Sequence, residues 1–169
     1  SIMCGFIGEF GSSQSPKNEF YSLLKLSINR GPDMVGYYSN LDIKEDQNPY
    51  IQFGFNRLSI LDLSKNANQP MTTNSGGYVV MCNGEITNYL KLITEMGLRP
   101  KDLRTNSDTE VLCHAIDYYG ITKTINRING MYAIVIYDLI KQMVYLIRDP
   151  AGIKPLYFAS TKYGLSLIH

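Results

Sequence analysis

Cys4, followed by Gly5 near the start of the chain, is the first residue that could perform chemistry. A free cysteine is most often a small buried hydrophobic residue, and Cys4 taken alone favours that interpretation. The alternative begins with translation at Met3. Once that methionine is removed, Cys4 is the first residue, and its own α-amine can accept the proton of its thiol. An α-amine has a pKa near ~8, so Cys4 is a candidate nucleophile that needs no histidine.

Asn83 and Gly84, followed by Glu85, stand where a predicted strand ends and a predicted helix follows. Asn-Gly is a strong turn pair, and by itself this segment favours a turn. The alternative is an oxyanion hole, because an asparagine side-chain amide and a glycine N–H can both donate to a developing negative charge. Glycine also allows the backbone to approach a substrate closely.

Two charged residues could recognise the ends of an α-amino acid. Asp108 lies in Ser107-Asp108-Thr109-Glu110, which has the form of a helix capping box. In that interpretation Asp108 only complements the helix dipole, whereas the functional alternative gives its carboxylate to a substrate ammonium group. Arg57 is either a solvated surface residue or a bidentate partner for a substrate carboxylate.

Glutamine is the substrate that these residues fit together. Arg57 would bind its carboxylate and Asp108 its ammonium group. Cys4 would attack the side-chain amide, with Asn83 and Gly84 behind the amide oxygen. Each residue alone is weak evidence, and the set predicts glutamine more strongly than its members do.

The composition excludes several other classes of function. The chain has 169 residues, a length typical of one domain, and a net charge of +1. A nearly neutral chain offers no electrostatic footprint for nucleic acid, and no apolar run reaches the ~18 residues of a membrane span. Two histidines and three scattered cysteines argue against a zinc site, a histidine-based triad or a disulfide framework. We therefore expect a soluble, cytoplasmic globular domain without a metal.

The elements that must position these residues alternate between strands and helices. Closely spaced strand pairs favour antiparallel pairing, and two consecutive helices fit a layer on one sheet, so the order predicts an α+β sandwich. Helices are predicted over 16–28, 86–96 and 108–119, ended at Arg30-Gly31-Pro32-Asp33, Gly97 and Gly120. Strands are predicted over 3–10, 34–40, 51–55, 78–82, 131–138, 143–148, 154–159 and 164–169, with a polar, turn-rich segment over 62–77.

Ordered motifs along nearly the whole chain resemble the class II glutamine amidotransferase domain of asparagine synthetase-like proteins. The motifs are Met3-Cys4-Gly5, Arg30-Gly31-Pro32-Asp33, Arg57-Leu58-Ser59-Ile60, Asp62-Leu63-Ser64, Asn68-Gln69-Pro70-Met71, Asn83-Gly84-Glu85-Ile86, Asn88-Tyr89, Ser107-Asp108-Thr109-Glu110, Gly130-Met131, Arg148-Asp149 and Gly152-Ile153-Lys154-Pro155-Leu156-Tyr157. The resemblance implies the N-terminal-nucleophile hydrolase fold, a four-layer αββα sandwich of mostly antiparallel sheets.

The resemblance also implies a role for each matching residue. Cys4 would be the nucleophile, and Asn83 with the N–H of Gly84 would form the oxyanion hole. The substrate-binding residues would be Arg57 for the carboxylate, Asp108 for the amino group, and Glu85 with the backbones of Leu58 and Ile60. It implies no cofactor or metal in this domain. The partner would be a linked or separate ATP-dependent synthetase domain, which uses ATP and Mg²⁺ to activate the acceptor of the ammonia.

The ends of the chain carry three further expectations. Ser1-Ile2 is interpreted as an expression remnant rather than a natural leader, and Met3 as the initiator, so that Cys4 can be exposed. Residues 4–169 are then the amidotransferase domain. We expect this domain to be truncated at its C-terminus, because 164–169 resembles a strand that continues in the family. The acceptor domain is expected to be missing, since no Ser-Gly-Gly-x-Asp-Ser signature is present.

Departures from the family pattern keep other functions open. Phe55 and Asn56 replace a frequent His-Arg pair, which suggests altered loop packing; Thr87 replaces a common tyrosine, and Pro150-Ala151 a frequent Arg-Phe pair. One alternative is a non-catalytic domain that binds glutamine or a partner. Another is a hydrolase of a different amide, although Arg57 and Asp108 would then lack a purpose.

Overall fold

The computed structural model describes residues 5–11, 16–26, 34–40, 50–57, 69–152, 157–161 and 164–168. The chain divides into two compact units, Ser1–Leu61 with Pro155–His169, and Asp62–Lys154. The strands are β1 (Gly5–Gly11), β2 (Met34–Ser39), β3 (Tyr50–Arg57), β4 (Met71–Thr72), β5 (Tyr78–Ile86), β6 (Gly130–Asp138), β7 (Met143–Arg148), β8 (Tyr157–Thr161) and β9 (Gly164–Ile168). The helices are α1 (Lys17–Leu26), α2 (Tyr89–Met96), α3 (Asp108–Tyr119) and α4 (Ile121–Ile125), with a 3₁₀ turn at Pro100–Asp102.

The first unit is a five-stranded antiparallel sheet with the strand order β2-β3-β1-β9-β8. Helix α1 lies against it, where Phe20 packs on Ile7 and Tyr37. On β3, Phe55 is buried and stacks on Phe6, with ring centroids 6.5 Å apart. The expectation of altered loop packing at Phe55 and Asn56 is therefore wrong. Both residues lie within a strand, and the phenyl ring serves the core.

The second unit is a four-stranded antiparallel sheet with the order β4-β5-β6-β7. Alternate side chains of β5 and β6, such as Val80, Cys82 and Ile134, pack with helices α2 and α3 in one core. The side chains between them, including Met81 and Val135, are also buried but lie on the opposite face of the sheet. Asn83 belongs by alternation to that second face.

The predicted elements are confirmed in outline and corrected at their ends. Gly97 ends α2 in the left-handed conformation, and Ser107 caps α3 with its hydroxyl. Helix α2 begins at Tyr89 rather than residue 86, because β5 continues through Ile86. Strand β4 and helix α4 were not predicted, since they are too short to produce a periodic pattern. Parts of several predicted elements lie outside the described residues. They are the start of the first strand at 3–4, the end of the first helix with its stop at 27–33, the first part of the polar segment at 62–68, and two strand ends at 154–156 and 169.

The observed architecture is α+β with antiparallel sheets, as predicted. Each of the two units is a sheet with helical contacts. Among the described helices, none is long and apolar enough to cross a membrane.

Candidate functional site

Asn83 and Gly84 lie within a strand, so the prediction of a turn at this pair is wrong. In the β5–β6 ladder Asn83 stands opposite Ala133 and Gly84 opposite Tyr132, and the pairing continues to Ile86. The pairing with β6 outweighs the local turn preference of Asn-Gly, because it supplies regular partners along the whole strand. Asn83 is buried, with 7% of its surface exposed.

Gly84 has a conformation that only glycine adopts readily. Its φ is 119°, and a Cβ added here would collide with the carbonyl oxygen of Met131 and lie 2.9 Å from Cα of Tyr132. Any side chain would therefore push β5 and β6 apart. The sequence predicted glycine for close approach to a substrate, and the structure adds a close approach between two strands.

The N–H of Gly84 points away from β6. The residue opposite Gly84 is Tyr132, whose N–H and C=O face the side of β6 away from β5. There the N–H of Tyr132 donates to Asp149 Oδ2 at 3.1 Å, and its C=O accepts from Asp149 N at 3.0 Å. In an antiparallel pair, residues whose polar groups face outward stand opposite one another, so the N–H of Gly84 also faces outward. It is directed to the β4 side of the sheet, which is where an oxyanion could accept its hydrogen bond.

The main-chain groups on this side of β5 are held by side chains before and after Gly84. Gln69 bonds Cys82 with both ends of its amide: Cys82 N donates to Oε1 at 2.6 Å, and Nε2 donates to Cys82 O at 3.1 Å. Two residues beyond Gly84, Ile86 N donates to Asp108 Oδ2 at 2.7 Å. Gly84 therefore stands between two positions that already have partners.

Asp108 begins α3 and reaches β5 through that bond to Ile86. Burial raises the pKa of its carboxyl and the nearby charge of Glu85 adds to the rise, while hydrogen bonds from the N–H groups of Ile86 and Thr109 oppose it. A positively charged group beside the carboxylate would relieve this penalty. The geometry therefore fits the predicted role of Asp108 as a partner for an ammonium group.

The predicted capping box is only half correct. Ser107 Oγ accepts from Thr109 N at 3.1 Å, as a cap should. The carboxylate of Glu110 instead accepts from the N–H groups of Arg104 and Thr105, at 2.9 and 3.2 Å. Glu110 therefore holds the segment before the helix, and the N–H of Ser107 donates to Thr105 Oγ1 at 3.0 Å.

Two of the three cysteines are poor nucleophiles. Cys82 and Cys113 are free thiols, both buried, and burial raises the pKa of each well above its ordinary value. A buried thiol with a raised pKa stays protonated and unreactive at neutral pH. The third cysteine, Cys4, lies outside the described residues.

The structure describes several other predicted site residues only in part. Leu58 and Ile60 lie outside the described residues. Arg57 is the last residue of β3, and only its backbone is described. Gly5, which follows Cys4, pairs with Asn56, which precedes Arg57. Strand β1, which begins one residue after Cys4, and strand β3, which ends at Arg57, are therefore neighbours in one sheet. Glu85 is exposed on β5, opposite Met131.

Gln69 and Asp149 are residues near the site to which the sequence assigned no role. Both stood within recognised motifs, but their partners, Cys82 and Tyr132, are 13 and 17 residues away. No local spacing rule connects such pairs. Among the described residues, no cluster of three or more His, Cys, Asp or Glu side chains could hold a metal ion.

Comparison with known proteins finds one domain family and a set of curated relatives. A family model described as a glutamine amidotransferase domain matches residues 3–168. The proteins "Asparagine synthetase [glutamine-hydrolyzing]" 1 and 2 of Bacillus subtilis are 34% and 38% identical to the chain over 163 and 168 residues. The mouse protein "Asparagine synthetase [glutamine-hydrolyzing]" is 33% identical over 165 residues. These matches cover 94%, 96% and 96% of the chain but only 24%, 21% and 27% of the relatives, so the chain spans about a quarter of their length.

Proposed function

The chain belongs to the glutamine amidotransferase domain family of the asparagine synthetase type, and from that premise we propose that it hydrolyses glutamine to glutamate and ammonia. The observation that carries the proposal is the N–H of Gly84, directed out of the β5–β6 ladder beside the buried Asn83. Asp108 is bonded to the same strand two residues further on. The two proposed oxyanion donors are therefore on β5, and the proposed partner of the ammonium group is hydrogen-bonded to the same strand, which supports the proposal.

In the first step the thiol of Cys4 attacks the side-chain amide carbon of glutamine, and the α-amine of Cys4 takes the thiol proton. Negative charge develops on the amide oxygen, where the side chain of Asn83 and the N–H of Gly84 donate hydrogen bonds. One such donor is typically worth about 3–4 kcal/mol of barrier. The amine then returns the proton to the leaving nitrogen and ammonia departs, leaving a γ-glutamyl thioester.

In the second step water attacks the thioester carbon, the bond from that carbon to the sulfur of Cys4 breaks, and glutamate leaves as the thiol is regenerated. The same two donors serve again, because thioester hydrolysis also passes through a tetrahedral oxyanion. The raised pKa values of the two buried thiols support the choice of Cys4 as nucleophile.

The remaining predicted residues recognise the α-amino acid end of glutamine. Arg57 binds the carboxylate with its guanidinium fork, and the backbones of Leu58 and Ile60 line the site with Glu85. Asp108 binds the ammonium group, and its partly buried carboxylate supports this role.

The four-layer αββα sandwich belongs to the same proposal. It is supported by family membership and by the two sheets, each of which has helical contacts. We also propose a cytoplasmic location, supported by the two free thiols, which suit a reducing compartment.

The ammonia is proposed to pass to an ATP-dependent acceptor domain, linked to this domain or separate from it, that uses ATP and Mg²⁺ to activate a carboxylate. The names of the relatives support an asparagine synthetase, in which the carboxylate would be that of aspartate. The additional length of those relatives leaves room for such a domain.

Glutamate release by the complete protein, processed so that Cys4 is its first residue, tests the proposal. We expect turnover in this form and none in Cys4→Ala. With Ser1-Ile2-Met3 retained, activity should be lost, because an amide nitrogen cannot act as the base. Equal activity in the unprocessed form would refute the role of the amine, and tight glutamine binding without turnover would point to a non-catalytic domain.

A further inference from the structure

Among the described residues, β4 pairs with only a short part of the outward-facing edge of β5 that leads to the proposed oxyanion hole. Strand β4 pairs with β5 only at Val79 and Val80. The next outward-facing residue, Cys82, is bonded instead by the side chain of Gln69, which supplies one donor and one acceptor as a neighbouring strand would. Gln69 therefore continues the hydrogen bonding of β4 along the edge of β5 to Cys82, the residue before Asn83.

The side chain of Gln69 is itself firmly held. It is buried, with 7% of its surface exposed, and its amide nitrogen also lies 3.4 Å from the hydroxyl of Thr109. Thr109 follows Asp108 in the first turn of α3. One amide thus joins the strand that carries Asn83 and Gly84 to the helix that carries Asp108.

We propose that Gln69 is a positioning residue for glutamine hydrolysis, whose amide fixes the Cys82 peptide groups and thereby aims the oxyanion donors of Asn83 and Gly84. This inference rests on the proposed function. Gln69 does not touch the substrate. It acts through the main chain of β5, because its two hydrogen bonds fix the peptide groups of Cys82, the residue before Asn83.

Loss of the Gln69 hydrogen bonds should lower the rate of the chemical step. The donors bond most strongly to the charge that exists only in the transition state, so a small displacement of them lowers kcat and leaves substrate binding nearly intact. A misplacement of about 1 Å in an active site can cost roughly 100-fold in rate.

Gln69→Met tests the inference, because methionine keeps the volume of the side chain and removes its hydrogen bonds. The matched control is Asn88→Leu. Asn88 makes the same type of two-bond contact with main chain, to Arg127 O and from Asn129 N, both at 2.8 Å, but it holds the segment before β6. We expect kcat of Gln69→Met to fall roughly 10- to 100-fold with KM changed by less than about threefold, and kcat of the control to stay within about threefold.

Thr109→Val provides a milder variant if Gln69→Met does not fold. Valine is close in shape to threonine and removes only the hydroxyl that Gln69 contacts, so kcat should fall about two- to fivefold. Unchanged kcat in both variants, or an equal loss in Asn88→Leu, would overturn the inference.

Amide hydrogen exchange separates this inference from the proposed function. In Gln69→Met the amide of Cys82 should exchange faster by at least about tenfold, and in Asn88→Leu it should not change. Unchanged exchange at Cys82 overturns the positioning role even if the wild-type protein hydrolyses glutamine. Failure of the wild-type protein to hydrolyse glutamine, with the exchange result as expected, refutes the proposed function, and the catalytic role of Gln69 falls with it.

Discussion

Asp108 has its carboxyl in surroundings that penalise the ionised form. Its carboxyl is partly buried and Glu85 is close enough to repel it, while the N–H groups of Ile86, Thr109 and Asp108 itself compensate in part. Such an arrangement is expected where a positively charged ligand completes the site. A residue chosen for stability alone would be better neutral at this position.

Asp108→Asn should weaken glutamine binding and leave the fold intact. Losing the charged partner should raise KM roughly 10- to 100-fold, since a hydrogen bond to a charged group is worth about 1.5–3 kcal/mol. Steady-state kinetics check this. The asparagine oxygen still accepts from Ile86 N, so the substrate-free variant should melt no lower than wild type, and a large loss of stability would contradict the interpretation.

The raised pKa of Asp108 also predicts a pH dependence. A carboxyl whose pKa is higher in the folded state destabilises the fold when it is ionised, and this cost disappears as the pH falls through the folded-state pKa. Any stability advantage of Asp108→Asn over wild type should therefore be greatest at neutral pH and vanish on acidification. Glutamine affinity of the wild type should fall over the same range, above pH ~3.9, where an unperturbed aspartate titrates.

Strand β5 is the element on which the proposed chemistry depends. One side of it pairs with β6 from Tyr78 to Ile86, and the other side is held first by β4 and then by two side chains. This pattern leaves the N–H of Gly84 outward-facing while fixing its neighbours. The strand is therefore both a structural member of the sheet and the element that carries the two proposed oxyanion donors.

Gly84→Ala should separate β5 from β6 and abolish glutamine hydrolysis. Gly76→Ala is the matched control, because Gly76 also has a positive φ, 76°, but nothing lies within 4 Å of an added Cβ. We expect Gly76→Ala to lower the free energy of unfolding by about 1 kcal/mol, and Gly84→Ala by roughly 2 kcal/mol or more. Denaturant unfolding measures both values, and equal losses would contradict the proposed clash with Met131.

At the scale of the whole molecule, packing buries two of the three cysteines. Cys82 and Cys113 both belong to the core between the second sheet and its helices. Neither thiol reaches solvent, so the reactivity of the chain towards electrophiles should be confined to Cys4. The same core positions α3 against β5, which brings Asp108 to the strand edge.

Alkylation of the native protein with iodoacetamide tests whether burial protects Cys82 and Cys113. We expect Cys4 to be labelled, and Cys82 and Cys113 to react at least about 100-fold more slowly until the protein is unfolded. Peptide mass spectrometry locates the label. Rapid native labelling of Cys82 would show that the core between β5 and α3 opens readily, and would weaken the assignment of Cys4 as the sole accessible nucleophile.

Much of the architecture was predictable from local sequence. Apolar runs, turn signals and helical spacing identified eight of the nine described strands and three of the four described helices, and Gly97 and Ser107 marked helix ends because capping acts over a few residues. Ordered motifs also identified the family, and the comparisons confirm it. These features are local or follow the order of the chain, which is why the sequence alone determined them.

Only the tertiary structure decided how the candidate site is held. Asn83-Gly84 looked like a turn until β6 supplied a partner for each residue across more than 45 positions of chain. Glu110 accepts hydrogen bonds from Arg104 and Thr105 instead of completing the predicted capping box, and Gln69 binds the main chain of Cys82. In each case a main-chain group gained a partner from a segment brought close by packing, and buried main-chain groups must find such partners. The direction of the Gly84 N–H follows from those pairings and not from the local preference of the Asn-Gly pair.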